Sequence, residues 1–277
     1  MPFRVHTNQP ALAAQRVLGQ NQERLGKSLS RLSTGSRIVT ASDDAAGLAI
    51  SERLKAQATG SRAALRNAED AKSFVQAAEG SLNEQNNILL RMRELAIQAS
   101  SDTVSDTERA FLDEEFQQIH DEMDRIAQST YYRGQPILKG ESQELDIQVG
   151  PNGGAENRIT MKIDIDATQS GLSTSGLEVS DQDYAQDSLE TIDDAITKVT
   201  EYRSKLGAYQ SRLDKTTNAL SVNVENLEEA RSRISDADFA EETAAIVKAQ
   251  ILTDSSLAVL SQANHFNGRA VRLIENI

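Results

Sequence analysis

The chain has 277 residues and a formal net charge of −13, with no Cys, no Trp and only four Pro. Without cysteine no disulfide can hold the fold. No run approaches the roughly 20 consecutive apolar residues of a bilayer span, so membrane insertion is not expected. The first twenty residues carry Arg4, His6 and Arg16 and no apolar run, so no cleavable secretory signal is expected. Arg4, Arg16, Arg24, Lys27, Arg31 and Arg37 face only Glu23 before residue 43. They are singly spaced and lack interleaved aromatics, which argues against nucleic acid as a partner.

Pro2 to Asn8 reads as irregular. From Gln9 to Arg31 apolar residues return near heptad spacing as Ala11, Ala14, Leu18, Leu25, Leu29 and Leu32, a thin stripe interrupted by Asn21 and Gln22. Such a helix is marginal alone. Ser33–Ser36 breaks it, and Ser42 is placed to cap the next helix with Asp43 and Asp44 in its favourable first turn. That helix runs from about Asp43 to about Ala99, marked by Leu54, Leu65, Val75, Leu82, Leu89 and Met92. Ser100–Val104 interrupts the pattern. Ser105 and Glu108 then form a capping box ahead of Leu112, Phe116, Ile119, Met123 and Ile126. A connection this short implies helices packed side by side.

After Tyr131 the period changes to two. Leu145, Ile147 and Val149 alternate with polar residues, as do Ile159, Met161, Ile163 and Ile165, across the turn Gly150-Pro151-Asn152-Gly153-Gly154. This predicts a β-hairpin, joined by a strand near Ile137 and Leu138. Gln169–Ser180 reads as a surface loop. From Leu189 to Ile234 every seventh residue is apolar: Ile192, Val199, Leu206, Leu213, Leu220, Leu227 and Ile234. Leu189, Ile196 and Val224 add the second seam position of a coiled coil, while Arg203, Gln210, Thr217 and Arg231 leave it half dry. A helix of that length would extend about 70 Å and needs partners. Ser235–Asp238 breaks and caps. The last helix, about Phe239–Asn264, carries Ala244, Val247, Ile251 and Ala258 on one stripe and Leu252, Val259, Leu260 and Ala263 on another. Two stripes mean contacts on two sides.

The layout is near-palindromic. It predicts a mainly α fold: a long antiparallel helical bundle or coiled coil with a small β-hairpin region and the N- and C-terminal helices paired. The ends bury too little to offset the entropy of ordering them, roughly 1.5 kcal/mol per residue, so they are expected to be disordered alone and to fold on assembly. A chain built this way should polymerise.

Catalytic chemistry finds no foothold. His6, His120 and His265 lie on separate elements without ligand spacing, and each reads as a surface or interface histidine rather than a metal ligand. Asp43 and Asp44 point apart on a helix and have no third partner. The Gly150–Gly154 turn lacks the Lys-Ser/Thr of a phosphate loop, and no Gly-x-Ser-x-Gly occurs. No catalytic, cofactor-binding or metal residue is expected.

Arg31-Leu-Ser-Thr-Gly-Ser-Arg-Ile38 and Ala41-Ser-Asp-Asp-Ala-Ala-Gly-Leu-Ala-Ile-Ser-Glu-Arg-Leu54 closely resemble the amino-terminal signature of bacterial flagellins. Ala78–Gly80, Arg93–Ala96, Asp124–Ala127, Ile234–Glu242 and Lys248–Leu252 fit the same pattern. One departure is Arg133 ahead of Gly134, where relatives usually carry Asn. The resemblance implies a subunit that self-polymerises into the flagellar filament used for motility, with a hook–filament junction protein as the alternative. Residues 1–42 and 236–277 would form the inner-tube domain, and 43–235 the outer-tube domain with its β-hairpin region at about 135–180. About fifty residues separate the flanking helices, leaving no room for large variable outer domains or an inserted protease.

Leu18, Leu25, Leu29, Leu32, Val247, Ile251, Leu252, Val259 and Leu260 would form the polymerisation interface, and the Ile192–Ile234 column the intrachain seam. Gly35 would sit in a joint that lets filaments switch supercoil. Arg91 and Leu95, with Glu115, match the segment sensed by a vertebrate Toll-like receptor. The resemblance further implies export machinery, an export chaperone, cap and junction proteins as partners, and a secreted, extracellular filament with a periplasmic one as the alternative. There is no Asn-x-Ser/Thr site for N-linked sugar.

Overall fold

The computed structural model describes residues 7–141 and 143–275; Met1–His6, most of the expected irregular start, lies outside them. The element order is α1 (Gln9–Thr34), α2 (Ala45–Ala99), α3 (Asp106–Ser129), β1 (Tyr131–Tyr132), β2 (Gln135–Pro136), β3 (Gln143–Gln148), a 3-10 turn (Ala155–Asn157), β4 (Arg158–Ile163), α4 (Gln182–Ser235) and α5 (Phe239–Glu275). The fold is mainly α, with α2 and α4 packed together and two small antiparallel strand pairs. The chain forms two compact units, one of residues 1–56 with 226–277, the other of 57–225.

In the unit 57–225, α2 buries Val75, Leu82, Leu89, Met92 and Leu95, α3 buries Phe116 and Met123, and α4 buries Ile192, Val199, Leu206 and Leu213. Each such side chain contributes roughly 1.5–3 kcal/mol by leaving water. Arg93 pairs with Asp193 and Lys72 with Asp214, both at 2.6 Å. Moving back along α2 therefore moves forward along α4: the two are antiparallel.

The α4 column is deeply buried from Ile192 to Leu213, nearly so at Leu220, and only half-buried at Leu227 and Ile234. Its second seam position differs from expectation. Ser188 and Ala195 take the deepest places there, while Leu189 and Ile196 are only partly buried on the other flank. Small side chains let the neighbouring backbone approach and carry no apolar signal of their own.

The Ser105–Glu108 capping box opens α3 as expected: Ser105 Oγ accepts from the Glu108 N–H, and the Glu108 carboxylate accepts from the Ser105 N–H. The cap of α2 is a correction. Asp44, not Ser42, accepts from the Gly47 N–H at 2.8 Å. Asp43 instead accepts from the Val39 and Thr40 amides, closing the preceding turn and lowering its own pKa.

β3 and β4 pair antiparallel with Leu145 opposite Met161 and Ile147 opposite Ile159. No strand at Ile137–Leu138 joins them. Those two side chains enter the core, and the pairing there shrinks to a single bridge, Lys139 with Asp166. The strand pair upstream is a separate tight hairpin, Tyr131–Pro136, whose turn residues Arg133 and Gly134 have φ of 50° and 83°.

Residues 169–180 are only in part a surface loop. Leu172, Thr174 and Val179 are fully buried, and the loop backbone is tied to helices. The Val179 N–H donates to Asp113, Gln117 donates to the Leu177 carbonyl, and Lys198 donates to the Gly171 carbonyl. A loop can be buried when its polar groups find such partners.

Candidate assembly surface

In the unit of residues 1–56 and 226–277, α1 and α5 pack antiparallel. Asn21 Nδ2 donates to Ser256 Oγ at 3.1 Å, Arg31 pairs with Glu242 at 3.2 Å, and Asn8 Nδ2 donates to the Ala263 carbonyl. Asn8 also caps α1, accepting from the Ala11 N–H ahead of Pro10. Both terminal segments are helices in this structure, and α5 continues beyond Asn264 to Glu275.

On α1 the covered positions are Ala11, Ala14, Leu18, Asn21, Leu25, Ser28 and Leu32, an unbroken 3-4 spacing. On α5 they include Glu242, Ile246, Ala249, Thr253, Ser256, Leu260 and Ala263. Small and polar side chains therefore take the most deeply buried places of this intrachain seam. The sequence-expected interface residues divide accordingly. Leu18, Leu25, Leu32 and Leu260 lie half-buried on the seam. Leu29, Val247, Ile251, Leu252 and Val259 are 50%, 57%, 59%, 38% and 58% exposed. Val247, Ile251 and Leu252, with Thr243, Ala244 and Lys248, line a shallow apolar groove along α5.

The breaks that end α1 and α4 pair with each other. Gly35 takes φ of +67°, the left-handed conformation that ends a helix most easily as glycine. Ser36 then bridges to Asp236, the Arg37 N–H donates to the Ser235 carbonyl, and the Ala237 N–H to the Gly35 carbonyl. The Arg37 guanidinium also donates to the Ile234 carbonyl at 2.7 Å, where the negative end of the α4 dipole favours a cation. Asp238 caps α5 by accepting from the Ala240 N–H.

Arg91 and Glu115 form an exposed ion pair at 2.6 Å, with Glu94 on the other side of the guanidinium. Leu95 is 1% exposed and packs in the core, so it is not available as a receptor contact. His120 is also a correction. It is buried, beside Thr174 and Gln169, and burial holds its pKa below the ordinary 6.5. His265 is exposed, and His6 lies outside the described residues. Among the described residues no group of three or more His, Cys, Asp or Glu could hold a metal ion.

Two family models match, the bacterial flagellin N-terminal helical region over residues 5–143 and the bacterial flagellin C-terminal helical region over 189–274. The chain belongs to the bacterial flagellin family. A flagellin of Halalkalibacterium halodurans is 41% identical over 94% of this chain and 95% of its own length. The flagellar filament core protein flaB2 of Brachyspira hyodysenteriae is 37% identical over 98% and 99%. The crystal structure of Bacillus cereus flagellin is 33% identical, with a TM-score of 0.50 over 56% of this chain and 88% of that one. A putative flagellar hook-associated protein from Vibrio parahaemolyticus shares the fold, with a TM-score of 0.60 over 70% of this chain and 100% of that one, but only 17% identity. A flagellin is a structural, non-enzymatic filament subunit of the flagellum, and this flagellin is a short one without a large outer domain.

Proposed function

We propose that this flagellin assembles into a homopolymeric filament through the face of α5 that α1 leaves bare. The observation that carries this reading is the exposure of Val247, Ile251 and Val259, each above half, on a helix whose other face is already paired. A row of large aliphatics in water favours burial against further copies by roughly 25 cal/mol per Å². Residues 1–42 and 236–277 supply the inner tube and 43–235 the outer one. The filament is extracellular, with a periplasmic location as the alternative. Its subunits reach it through the export machinery with an export chaperone, and meet cap and junction proteins at its ends. Sedimentation with negative-stain microscopy tests this on the intact chain and on a chain lacking 1–42 and 236–277. Filaments from the first and soluble helical protein from the second are expected. A small discrete oligomer of the intact chain would overturn the reading and favour the hook–filament junction role.

The paired breaks at Gly35–Ser36 and Ser235–Asp236 support a joint that alters filament shape. A Cβ at Gly35 meets no atom within 4 Å, so Gly35→Ala acts through backbone strain alone. Gly35→Ala filaments whose shape still follows pH and salt like the natural ones would remove the joint. Recognition of the dissociated subunit by a Toll-like receptor rests on the exposed Arg91 and Glu115. A reporter-cell assay in which the natural subunit and the Arg91→Ala variant are equally inert would exclude it.

A further inference from the structure

The α1–α5 seam has an unusual division of labour. Its most deeply buried members are Ala14, Asn21, Glu242, Ala249 and Ser256, while its leucines are only half-buried. Alanine is nearly smooth, so a seam built on it offers little shape to resist sliding by one heptad, about 10 Å along the helix. The polar members do resist it. In the observed register Asn21 Nδ2 donates to Ser256 Oγ, whose own hydrogen goes to the Leu252 carbonyl at 2.7 Å. A slide of seven residues either way would set Asn21 against Ala249 or Ala263, with no acceptor for its buried amide. The same slide would take Glu242, 8% exposed, away from Arg31. A single buried polar residue on a coiled-coil seam specifies register at a cost in stability.

We infer that Asn21–Ser256, reinforced by Arg31–Glu242, sets the register in which the two ends of this flagellin pair. The terminal helices are then specified by polarity and only weakly by fit. Substituting the pair by leucines should leave helices that still associate but no longer choose one alignment.

The natural absence of cysteine makes the test clean. Ala14→Cys is combined in turn with Leu260→Cys, Thr253→Cys or Asn267→Cys, one heptad apart, in the full chain under assembly conditions. After oxidation only disulfides within single-chain species are counted, and circular dichroism follows helix content. In the natural background the 14–260 disulfide should dominate by at least several-fold. With Asn21→Leu and Ser256→Leu added, helix content should hold while disulfides spread to 253 or 267. The exchange Asn21→Ser with Ser256→Asn should restore the 14–260 preference. An unchanged pattern in the leucine variant would overturn the inference. So would loss of helix there, since that would make the pair a stability element. Scattered disulfides in the natural background would also overturn it, and would do so whether or not filaments form.

Discussion

Arg109 shows how one buried side chain can hold a connection together. It is 5% exposed and donates to the Ala99, Ser101 and Val104 carbonyls and to the Asp106 carboxylate. The first of these lies at the end of α2, where carbonyls lack helical partners. Arg109→Met should therefore cost about 3 kcal/mol in denaturant unfolding, because it strands the buried Ala99 carbonyl and removes a partner from the half-buried Ser101 and Val104 carbonyls. A loss below about 1 kcal/mol would mean that water replaces the guanidinium there. His120 makes a pH-dependent contribution. Its pKa is lowered by burial, with Asp121 and Asp124 opposing the shift. The unfolded chain thus binds a proton that the folded chain refuses. Stability from this group is complete above the ordinary 6.5 and is lost as pH falls through the lower folded value. Asp43, Glu108 and Glu122 also have lowered pKa values, but from ordinary values of 3.8, 4.5 and 4.5, so they act in a more acid window. Thermal melts between about pH 7 and pH 5 should show a declining midpoint that His120→Gln flattens. A slope unchanged by that substitution would assign the effect elsewhere. At Arg133 the positive φ suits Asn better in a two-residue hairpin turn, and the exposed pair with Asp70 is worth little. Arg133→Asn should raise the melting temperature slightly; a fall would show that the Asp70 contact matters more than the turn.

Along an element, what could be read from sequence was what large aliphatics and caps announce. The Ile192–Ile234 column, the Ser105–Glu108 box and the β3–β4 hairpin all rest on strong periodic or local signals. Hidden from the sequence were burials decided by the partner: Ser188 and Ala195 on α4, Asn21 and Ser256 between the end helices, and the loop 169–180. A small or polar residue scores as solvent-facing until a neighbour arrives to satisfy it. The candidate surface was legible for the same reason in reverse. Val247 and Ile251 announced one stripe and Leu252 and Val259 a second, but which face α1 would take depended on the polar pairs. Burial along the α4 column makes a graded prediction. Leu213→Ala, at a fully buried position, should cost about 3 kcal/mol, whereas Leu227→Ala, half-buried, should cost about 1 kcal/mol or less. Equal losses would mean that the half-buried end is as tightly packed as the rest.

For the molecule as a whole, α5 poses the governing constraint. By length and composition its stretch Phe239–His265 could cross a membrane, with a mean hydropathy of 1.2, yet only 11% of that window is buried within the chain. In a filament subunit such a helix is economical: its small, polar residues sit deepest against α1, and its large aliphatic face is left bare, the face proposed above for contacts between copies. The two faces can be told apart by placing a charge on each. Val247→Asp with Ile251→Asp puts carboxylates on the bare face, where they stay solvated in the free subunit. Helix content and melting temperature should be nearly those of the natural chain, while pelleting as filaments is lost, because each added charge would have to be buried unpaired at a contact between copies. Ala249→Asp places one charge on the covered face and should instead weaken the pairing of α1 with α5, lowering helix content in the free subunit as well. Filaments of normal yield from the Val247→Asp, Ile251→Asp chain would remove the bare face from assembly. Equal loss of helix in both variants would show that the two faces are not separate surfaces.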